Sequence, residues 1–525
     1  MTDDMKLAIV TAMSSTVRVN KNGQVYLYES ESYWDKEKKA PRSRMVYLGR
    51  EDPATKEVVP PGKKWMPKSS RDYGNAFLLS RISMQIGLTE VLQETFPDQW
   101  QELLACVLFE ASEGKPLYLC NSWLEGTHTD LIDRLPSQRV SELLRSVGEN
   151  VHARLEFARL WNEKRCDDKF IVFDITSISS YSKLIESVEW GYNRDKEKLA
   201  QINFGMVFGQ PSLLPLFYDV YQGSIRDVST LQNILEFLTD FKVKNVTFVL
   251  DKGFYSADNI AAMKKKRLHF ITPLPFSVDE AESLIEKHAE EILDVSNAFR
   301  TDKEILHCVS DKVTIEGYSL NAYIYFDKRR RLEGEERLLE KIMEAEEKVQ
   351  AKGFRERQKA HKYLCENASA VKGLVQIRKV KGAFVLKRET ARIAKAISRM
   401  GYVTILSSRK MRREEIIVLY RNKDCVEKCF DNMKNELSTN RLRVHSKETM
   451  DGRLFTAFLT LILSSQLHNS MREQNMTNKY TIDEVMYETR KLKITELKSG
   501  KKLLTEISKT QKDLFKKLVN EIPSL

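Results

Sequence analysis

Two runs of apolar residues in the middle of the chain are each followed at once by an aspartate. Residues 170–173 are all apolar and precede Asp174, and residues 246–250 are mostly apolar and precede Asp251. Short apolar runs of this length predict buried strands. Because active groups on open α/β sheets gather at strand ends, Asp174 and Asp251 are candidate functional residues.

The chain around these two runs alternates between strand-like and helix-like patterns. Apolar stretches at residues 202–208 and 214–220 predict two strands, and residues 227–241 have the apolar spacing of a helix. Residues 257–266 then predict another helix, and residues 269–272 a short strand. The order β, β, β, α, β, α, β is that of a ribonuclease-H-like sheet, with an acid at the end of the first and fourth strands. We therefore predict the α/β class, with a ribonuclease-H-like mixed sheet as the core.

A third acid, Glu427, belongs to a pattern of helical spacing. On one helix, Tyr420, Lys423, Glu427 and Lys434 fall within about 60° of arc, at roughly 100° per residue. The neighbouring stripe of the same helix is apolar and consists of Val426, Phe430, Met433 and Leu437. Such a helix packs by one face and offers a carboxylate flanked by cations on the next. The alternative is an ordinary amphipathic helix with solvated charges.

Taken together, these segments resemble bacterial insertion-sequence transposases of the DDE type, in the group with a Tyr-x2-Arg-x3-Glu-x6-Lys signature. Here the signature reads Tyr420, Lys423, Glu427 and Lys434, with every spacing kept and lysine in place of the arginine. Asp174-Ile-Thr is similar to the first-aspartate motif of that group. Residues 223–227 and 251–255 are similar to the following turn and to the second-aspartate motif. The similarity covers about residues 160–275 and 400–470.

The resemblance implies that Asp174, Asp251 and Glu427 are catalytic and bind two Mg²⁺ ions, with Mn²⁺ as a substitute. Mg²⁺ binds carboxylate oxygens, and a pair of such ions about 3.5–4 Å apart stabilises the attacking and leaving oxygens of phosphoryl transfer. The resemblance also implies that Tyr420, Lys423 and Lys434 bind DNA. The implied protein is a DDE transposase that cleaves the inverted-repeat ends of its element and transfers the 3′ ends to target DNA. Its implied partners are the duplex DNA of the inverted-repeat ends, the duplex target DNA and a second protomer in the synaptic complex.

Two other functions remain open from the sequence. One is a metal-dependent nuclease of the same fold, such as a resolvase, that cleaves DNA without joining strands. The other is a domesticated DNA-binding protein whose active site is no longer used. The presence of all three acids disfavours this last alternative, because a binding protein does not need them.

The remaining segments flank or interrupt the predicted core. Asn22-Gly23 predicts a hairpin in a basic N-terminal region, and an outline of two helices joined at Gly87 is typical of a helix-turn-helix or of any αα-hairpin. The predicted domains are a basic β-rich region at 1–70, a helical region at 71–160 that is a candidate for binding the DNA ends, core segments at 161–275 and 401–475, an insertion domain at 276–400, and a helical tail at 476–525.

Composition agrees with a nucleic-acid partner. The net charge is +11 over 525 residues, which favours a polyanion. The seven cysteines include no C-x-x-C pair and the N-terminus has no signal pattern, so we expect a cytoplasmic protein, associated with the nucleoid of a bacterium. The apolar run at residues 454–467 contains polar residues and is shorter than the roughly 20 residues of a membrane span. It predicts a buried helix and no membrane partner.

Overall fold

A computed structural model of the protein describes most of the chain. The described residues are 14–35, 40–60, 66–165, 167–191, 198–225, 231, 246–301, 304–380, 382–423, 426–428, 430, 441–442 and 444–525.

The described strands and helices are numbered here in chain order. The strands are β1 Ser14–Lys21, β2 Gln24–Asp35, β3 Ala40–Glu51, β4 Val58–Val59, β5 Pro67–Asp72, β6 Phe170–Ser180, β7 Gln201–Gln210, β8 Pro215–Gln222, β9 Thr247–Leu250, β10 His269–Pro273, β11 Ala298–Arg300, β12 Ile305–Ile315, β13 Tyr318–Phe326, β14 Val375–Val380, β15 Ala383–Arg388, β16 Tyr402–Ser407, β17 Arg441–Leu442, β18 Lys493–Leu497 and β19 Lys502–Leu504. The helices are α1 Gly74–Gln85, α2 Leu88–Thr95, α3 Trp100–Glu113, α4 Cys120–Gly126, α5 Ser137–Glu149, α6 Val151–Glu163, α7 Ala257–Lys265, α8 Asp279–His288, α9 Lys328–Lys352, α10 Arg357–Asn367, α11 Thr390–Ser398, α12 Arg413–Arg421, α13 Lys447–Glu473, α14 Ile482–Arg490 and α15 Lys509–Val519.

The chain divides into two compact units. The first comprises residues 1–93, 97–143 and 467–525, and the second comprises residues 94–96 and 144–466. The first unit contains a four-stranded antiparallel sheet in the order β1-β2-β3-β4. Its first hairpin turns at Asn22 and Gly23, both with positive φ, so the hairpin prediction is confirmed.

Segments that are far apart in the chain pair with each other in the first unit. Strand β18 lies between β5 and β19, with Ile494 opposite Arg71 in the register. The predicted helical tail at 476–525 therefore differs from the structure, which has two helices and two strands there. The reason is that strands of five and three residues carry too short a pattern to be separated from the helices around them.

The second unit is built on a ten-stranded mixed sheet. Its order is β11-β12-β13-β16-β10-β9-β6-β7-β8, and β17 pairs with β6. Strands β6, β7 and β8 form an antiparallel meander, while β9 and β10 add in parallel on the other side of β6. The predicted strands at 202–208, 214–220 and 269–272 and the helix at 257–266 are all confirmed. Of the helix predicted at 227–241, only residue 231 lies among the described residues.

The first part of the predicted insertion belongs to this sheet. Strand β13 pairs with β16, which in turn pairs with β10, so β11, β12 and β13 extend the core sheet. Residues 328–398 contain a separate apolar core, formed by Ile342, Ala345, Val349, Leu364, Val371, Val375, Leu386 and Ile393. The alternation of apolar residues at 320, 322, 324 and 326 indicates a strand but not its partner, which explains the difference.

The apolar run at residues 454–467 lies in α13, where most of its side chains are buried, as predicted. Among the described residues, no helix is both long and apolar enough to cross a membrane.

Candidate active site

The register of β6 and β9 brings Asp174 and Asp251 next to each other. The two strands are parallel, and their last pair is Phe173 with Leu250. Asp174 directly follows Phe173, and Asp251 directly follows Leu250. Neighbouring strands lie about 4.8 Å apart, so the backbones of the two aspartates are close together. Residues Phe173 and Leu250 point into the apolar core on one face of the sheet. Because side chains alternate along a strand, both aspartates point to the opposite face.

The prediction that Asp174 ends its strand is wrong. Strand β6 continues to Ser180, and Asp174 is paired with Met206 of β7. Only the pairing of β6 with β9 ends beside Asp174. The strand continues through polar residues that are nevertheless buried, including Thr176 and Ser177, so the end of the apolar run does not mark the end of the strand. The Oδ1 atom of Asp174 accepts a hydrogen bond of 2.9 Å from the backbone N–H of Ile175.

The third acid, Glu427, follows helix α12 and lies on the same face. The helix contacts β9 and carries Tyr420, which is half-buried, in its last turn. It ends at Arg421, Asn422 forms a turn, and the chain is helical again at Lys423 and at residues 426–428. Asn422 nevertheless has right-handed helical φ and ψ, and its N–H donates to the carbonyl of Val418 at 2.9 Å, so the irregularity is local and the predicted stripe stays a prediction. Lys434, Met433 and Leu437 lie outside the described residues.

Gln210, at the end of β7, holds this turn. Its side chain is buried, and it donates a hydrogen bond of 3.3 Å to the carbonyl of Leu419. It also accepts one of 3.2 Å from the Nδ2 atom of Asn422. A buried amide with two partners fixes the position of this turn relative to β7. In the sequence Gln210 is only a polar residue after an apolar run, so no signal singled it out.

Lys423 connects the acids. Its Nζ atom lies 2.7 Å from Oε1 of Glu427 and 3.1 Å from Oδ1 of Asp251. The lysine is 7% exposed, whereas Glu427 is exposed to solvent. We call Asp174, Asp251 and Glu427 the acidic triad. The structure thus brings four of the six predicted site residues to one face of the sheet, with the lysine among the carboxylates.

The charges of the acidic triad dominate the electrostatics of Lys423. Burial of the ammonium would lower the pKa of Lys423, but the hydrogen bond to Glu427 and the charges of Asp251 and Asp174 outweigh it, so the pKa is raised. The lysine therefore stays protonated at neutral pH. Three carboxylates and one ammonium sum to −3 + 1 = −2, which leaves an excess of negative charge for a cation.

The donor set suits a hard divalent ion, because carboxylate oxygens are the ligands that such ions prefer. Among the described residues, however, no three His, Cys, Asp or Glu side chains are already gathered as a group that could hold a metal ion. The acidic triad instead surrounds Lys423. A metal ion at the acidic triad would compete with Lys423 for oxygens of Asp251 and Glu427.

The site thus combines Asp174 on β6, Asp251 directly after the parallel neighbour β9, and Glu427 on the helical segment after α12. The family model described as "Transposase DDE domain" matches residues 165–463 of this chain. The match covers more than half of the chain, and the protein therefore belongs to the DDE transposase family. The resemblance found in the sequence is confirmed at this level.

The comparison with solved structures gives one further result. The chain is similar to a piggyBac transposase, whose structure is described as the cryo-EM structure of a synaptic complex with hairpin DNA, with a TM-score of 0.32 and 10% identity. The similarity covers 79% of this chain and 69% of that one. No curated protein matches the sequence.

Proposed function

We propose that the protein binds the inverted-repeat ends of a bacterial insertion sequence, cleaves them by metal-dependent hydrolysis and transfers the 3′ ends to target DNA. The observation that carries this proposal is the position of the acidic triad around Lys423. The meander followed by two parallel strands supports a ribonuclease-H-like core.

Asp174, Asp251 and Glu427 would hold two Mg²⁺ ions, with Mn²⁺ as a substitute. When bound, such ions activate the attacking hydroxyl and stabilise the leaving oxygen of a phosphodiester. Asp174 is on β6 and Asp251 directly follows the neighbouring strand β9, whereas Glu427 is on the helical segment that follows the turn at Asn422. The strand pair therefore fixes two ligands in advance, and the third can adjust when the site is loaded.

Lys423 has two roles in this proposal. Before loading, its ammonium neutralises part of the repulsion among the acidic triad. On loading, it leaves Asp251 and Glu427 and contacts the phosphate of the cleaved strand, where a cation stabilises developing negative charge. Tyr420, one turn earlier, lies on the same approach to the phosphate, and Lys434 would extend the DNA contact along the signature segment.

The other parts of the chain would supply recognition. The basic sheet and the helices before residue 160 would bind the terminal repeats, and two protomers would hold the two ends in a synaptic complex on the nucleoid in the cytoplasm. The net charge of +11 supports binding of both element DNA and target DNA.

The test is an excision and joining assay on DNA that carries the sequences flanking the gene. We expect Asp174→Asn, Asp251→Asn and Glu427→Gln each to lower cleavage by at least about 10³-fold, since the loss of a metal ligand removes several kcal/mol of transition-state stabilisation. Binding of the ends should change little. Glu415→Gln, on α12 but outside the acidic triad, is the matched control and should cleave normally. Near-normal cleavage by any triad variant would refute the assignment.

A further inference from the structure

Helix α12, which precedes Lys423 and Glu427, lies against the hairpin of β11 and β12. The two strands pair antiparallel, and Thr301 and Glu304 flank the turn between them. The N–H of Thr301 donates to the carbonyl of Glu304 at 2.8 Å, and the N–H of Glu304 donates to Oγ1 of Thr301 at 3.3 Å. The turn therefore holds the backbone of Glu304 in place.

The first residue of α12, Arg413, is held by the strands of this hairpin. Its Nη1 atom donates to the carbonyls of Asn297 and Cys308 at 3.3 and 3.4 Å. Its guanidinium lies over the ring of Phe299, 5.1 Å from the ring centroid. The hydroxyl of Tyr325, on β13, donates to the backbone carbonyl of Arg413 at 2.6 Å. The beginning of α12 is thus fixed to the sheet through both its side chain and its backbone.

The last residue of α12, Arg421, is paired with the turn of the same hairpin. Its Nη1 atom forms an ion pair with Oε1 of Glu304. The two side chains are 28% and 26% exposed, so both charges are in contact with solvent. Ion pairs of this kind contribute little to the stability of a fold. The hairpin therefore holds α12 at both ends, and the second contact comes two residues before Lys423.

The helix and the hairpin extend to the edge of the sheet where Asp251 lies. Strand β12 begins beside the end of β13, which pairs with the beginning of β16, and β16 runs antiparallel to β10. The turn is therefore at the edge where β9 and β10 end. The eight positions from Arg413 to Arg421 rise roughly 12 Å along a helix. The four positions from Asn297 to Thr301 span roughly 13 Å of extended chain, so α12 ends level with the turn.

The position of α12 decides where Lys423 and Glu427 lie, because both follow its last residue within six positions. The Nζ atom of Lys423 contacts Asp251 on one side and Glu427 on the other, so a shift of α12 changes both contacts. Arg421 does not replace the arginine that the signature has at position 423, because its guanidinium is paired with Glu304. The ion pair thus supports the acidic triad without belonging to it.

We propose that Glu304 is a positioning residue that acts through Arg421 on the acidic triad. Its carboxylate ties α12 to a hairpin that belongs to the same sheet as β6 and β9. A displacement of about 1 Å in an active site lowers the rate by about 10²-fold, far more than the loss of a surface ion pair affects stability. The effect on cleavage rests on the proposed function, whereas the link between Glu304 and the helical segment after α12 does not.

The experiment uses the full chain and replaces each charge of the pair by an unbranched apolar side chain, in E304M and R421M. The double variant E304R/R421E exchanges the two charges. The matched control pair is Glu346 with Arg388, which joins α9 to β15 at 2.7 Å and is similarly exposed, at 25% and 38%. Its variants are E346M and R388M. Single-turnover cleavage of bound DNA ends with Mg²⁺ gives the rate, and anisotropy gives the affinity for the ends.

We expect E304M and R421M each to lower the rate of cleavage by at least about tenfold, because the acidic triad loses its alignment. Their affinity for the ends and their unfolding temperature should stay close to those of the wild type. The charge-exchanged variant should recover most of the rate, and the control variants should cleave normally. If R421M unfolds early, R421K supplies the comparison, since it keeps the ion pair and should cleave like the wild type.

Two outcomes of this assay would overturn the inference. If Arg421 contacted DNA directly, R421M would lose affinity, whereas E304M would free the cation and cleave normally. Equal losses of rate in the control variants would show that any half-exposed ion pair of this unit has the same effect. A positioning role requires that both members of the pair be impaired alike and that only the rate change.

Hydrogen exchange without DNA separates this inference from the proposed function. A peptide that contains Lys423 and Glu427 should exchange faster in E304M than in the wild type, and E346M should leave its exchange unchanged. If the wild type cleaves no DNA but this peptide exchanges faster in E304M, the proposed function fails and the positioning role stands. If the wild type cleaves, and E304M cleaves and exchanges equally well, the positioning role alone is refuted.

Discussion

Lys423 donates a hydrogen bond of 2.7 Å to Glu427, one helical turn later, and the same ammonium lies 3.1 Å from Asp251. The lysine therefore competes with any cation that the acidic triad binds. We predict that Lys423→Met raises the affinity for Mn²⁺ by about tenfold, or about 1.4 kcal/mol, because no tethered charge has to be displaced. Titration calorimetry measures this directly.

The same variant should cleave DNA poorly, because it lacks the phosphate contact. Lys423→Arg keeps the charge and should retain activity, since its guanidinium can contact a phosphate with two nitrogens. Lys428→Met, an exposed lysine on the same helical segment, is the matched control and should leave Mn²⁺ affinity unchanged. Unchanged Mn²⁺ affinity in Lys423→Met would show that the lysine does not compete with the ion.

Gln210 provides a test of how the helical segment is positioned. We predict that Gln210→Ala lowers the free energy of unfolding by about 1–3 kcal/mol, because it leaves buried polar groups of the turn without a partner. It should also lower the rate of cleavage more than the affinity for DNA, because Lys423 and Glu427 follow directly after the turn. Gln222→Ala, at the exposed end of β8, is the control for both measurements. A Gln210→Ala enzyme with normal kcat would mean that the turn is fixed by other contacts.

Close packing of α5 and α13 gives a prediction about stability. A Cβ atom on Gly452 would lie 1.8 Å from the carbonyl oxygen of Leu144, and one on Gly148 would lie 1.7 Å from that of Glu448. We expect Gly452→Ala to destabilise the protein by about 1–3 kcal/mol or more, because the helices must separate. At Gly126, in α4, an added Cβ meets no atom within 4 Å. Urea unfolding should therefore show no loss for Gly126→Ala, and equal losses for the two variants would contradict the packing argument.

Asp311 of β12 makes stability depend on pH. Hydrogen bonds from Lys287 and His288, each 2.8 Å long, hold the pKa of Asp311 well below its usual range. A carboxyl group whose pKa is lowered by folding stabilises the protein above its unfolded pKa, near 3.9, and this contribution is lost as the pH falls through the folded value.

We therefore expect Asp311→Asn to lower the free energy of unfolding by about 1–2 kcal/mol at pH 7. The difference from the wild type should shrink below about pH 4, where the wild-type carboxylate begins to lose its advantage. Glu290→Gln removes an exposed acid from the same region and serves as the control in urea titrations at both pH values. A difference that stays constant with pH would show that the charge of Asp311 is not the cause.

The local elements of this structure could be predicted from the sequence. Apolar runs identified the central strands, and the aspartates that follow them at 174 and 251 meet because their strands are parallel neighbours. That neighbour relationship is not local, and the alternation of apolar residues at 320–326 likewise indicates a strand without showing that it pairs with β16. The hydrogen bonds of Gln210 with Leu419 and Asn422 were missed because they join positions more than 200 residues apart in the chain. Pattern predicts elements, whereas pairing depends on contacts between distant residues.

The pairing of β5 with β18 has a consequence for synthesis of the protein. Arg71 leaves the ribosome long before Ile494, its partner in the register. At about 5–20 residues per second, translation of the intervening chain takes roughly 20–85 s. During that interval β5 lacks its partner strand β18, and by the end of it every residue of the unit that carries the acidic triad has been made. Synthesis therefore finishes the residues of the unit that carries the acidic triad before those of the sheet that contains β5, and a nascent chain that stops before β18 lacks β18, β19 and α15.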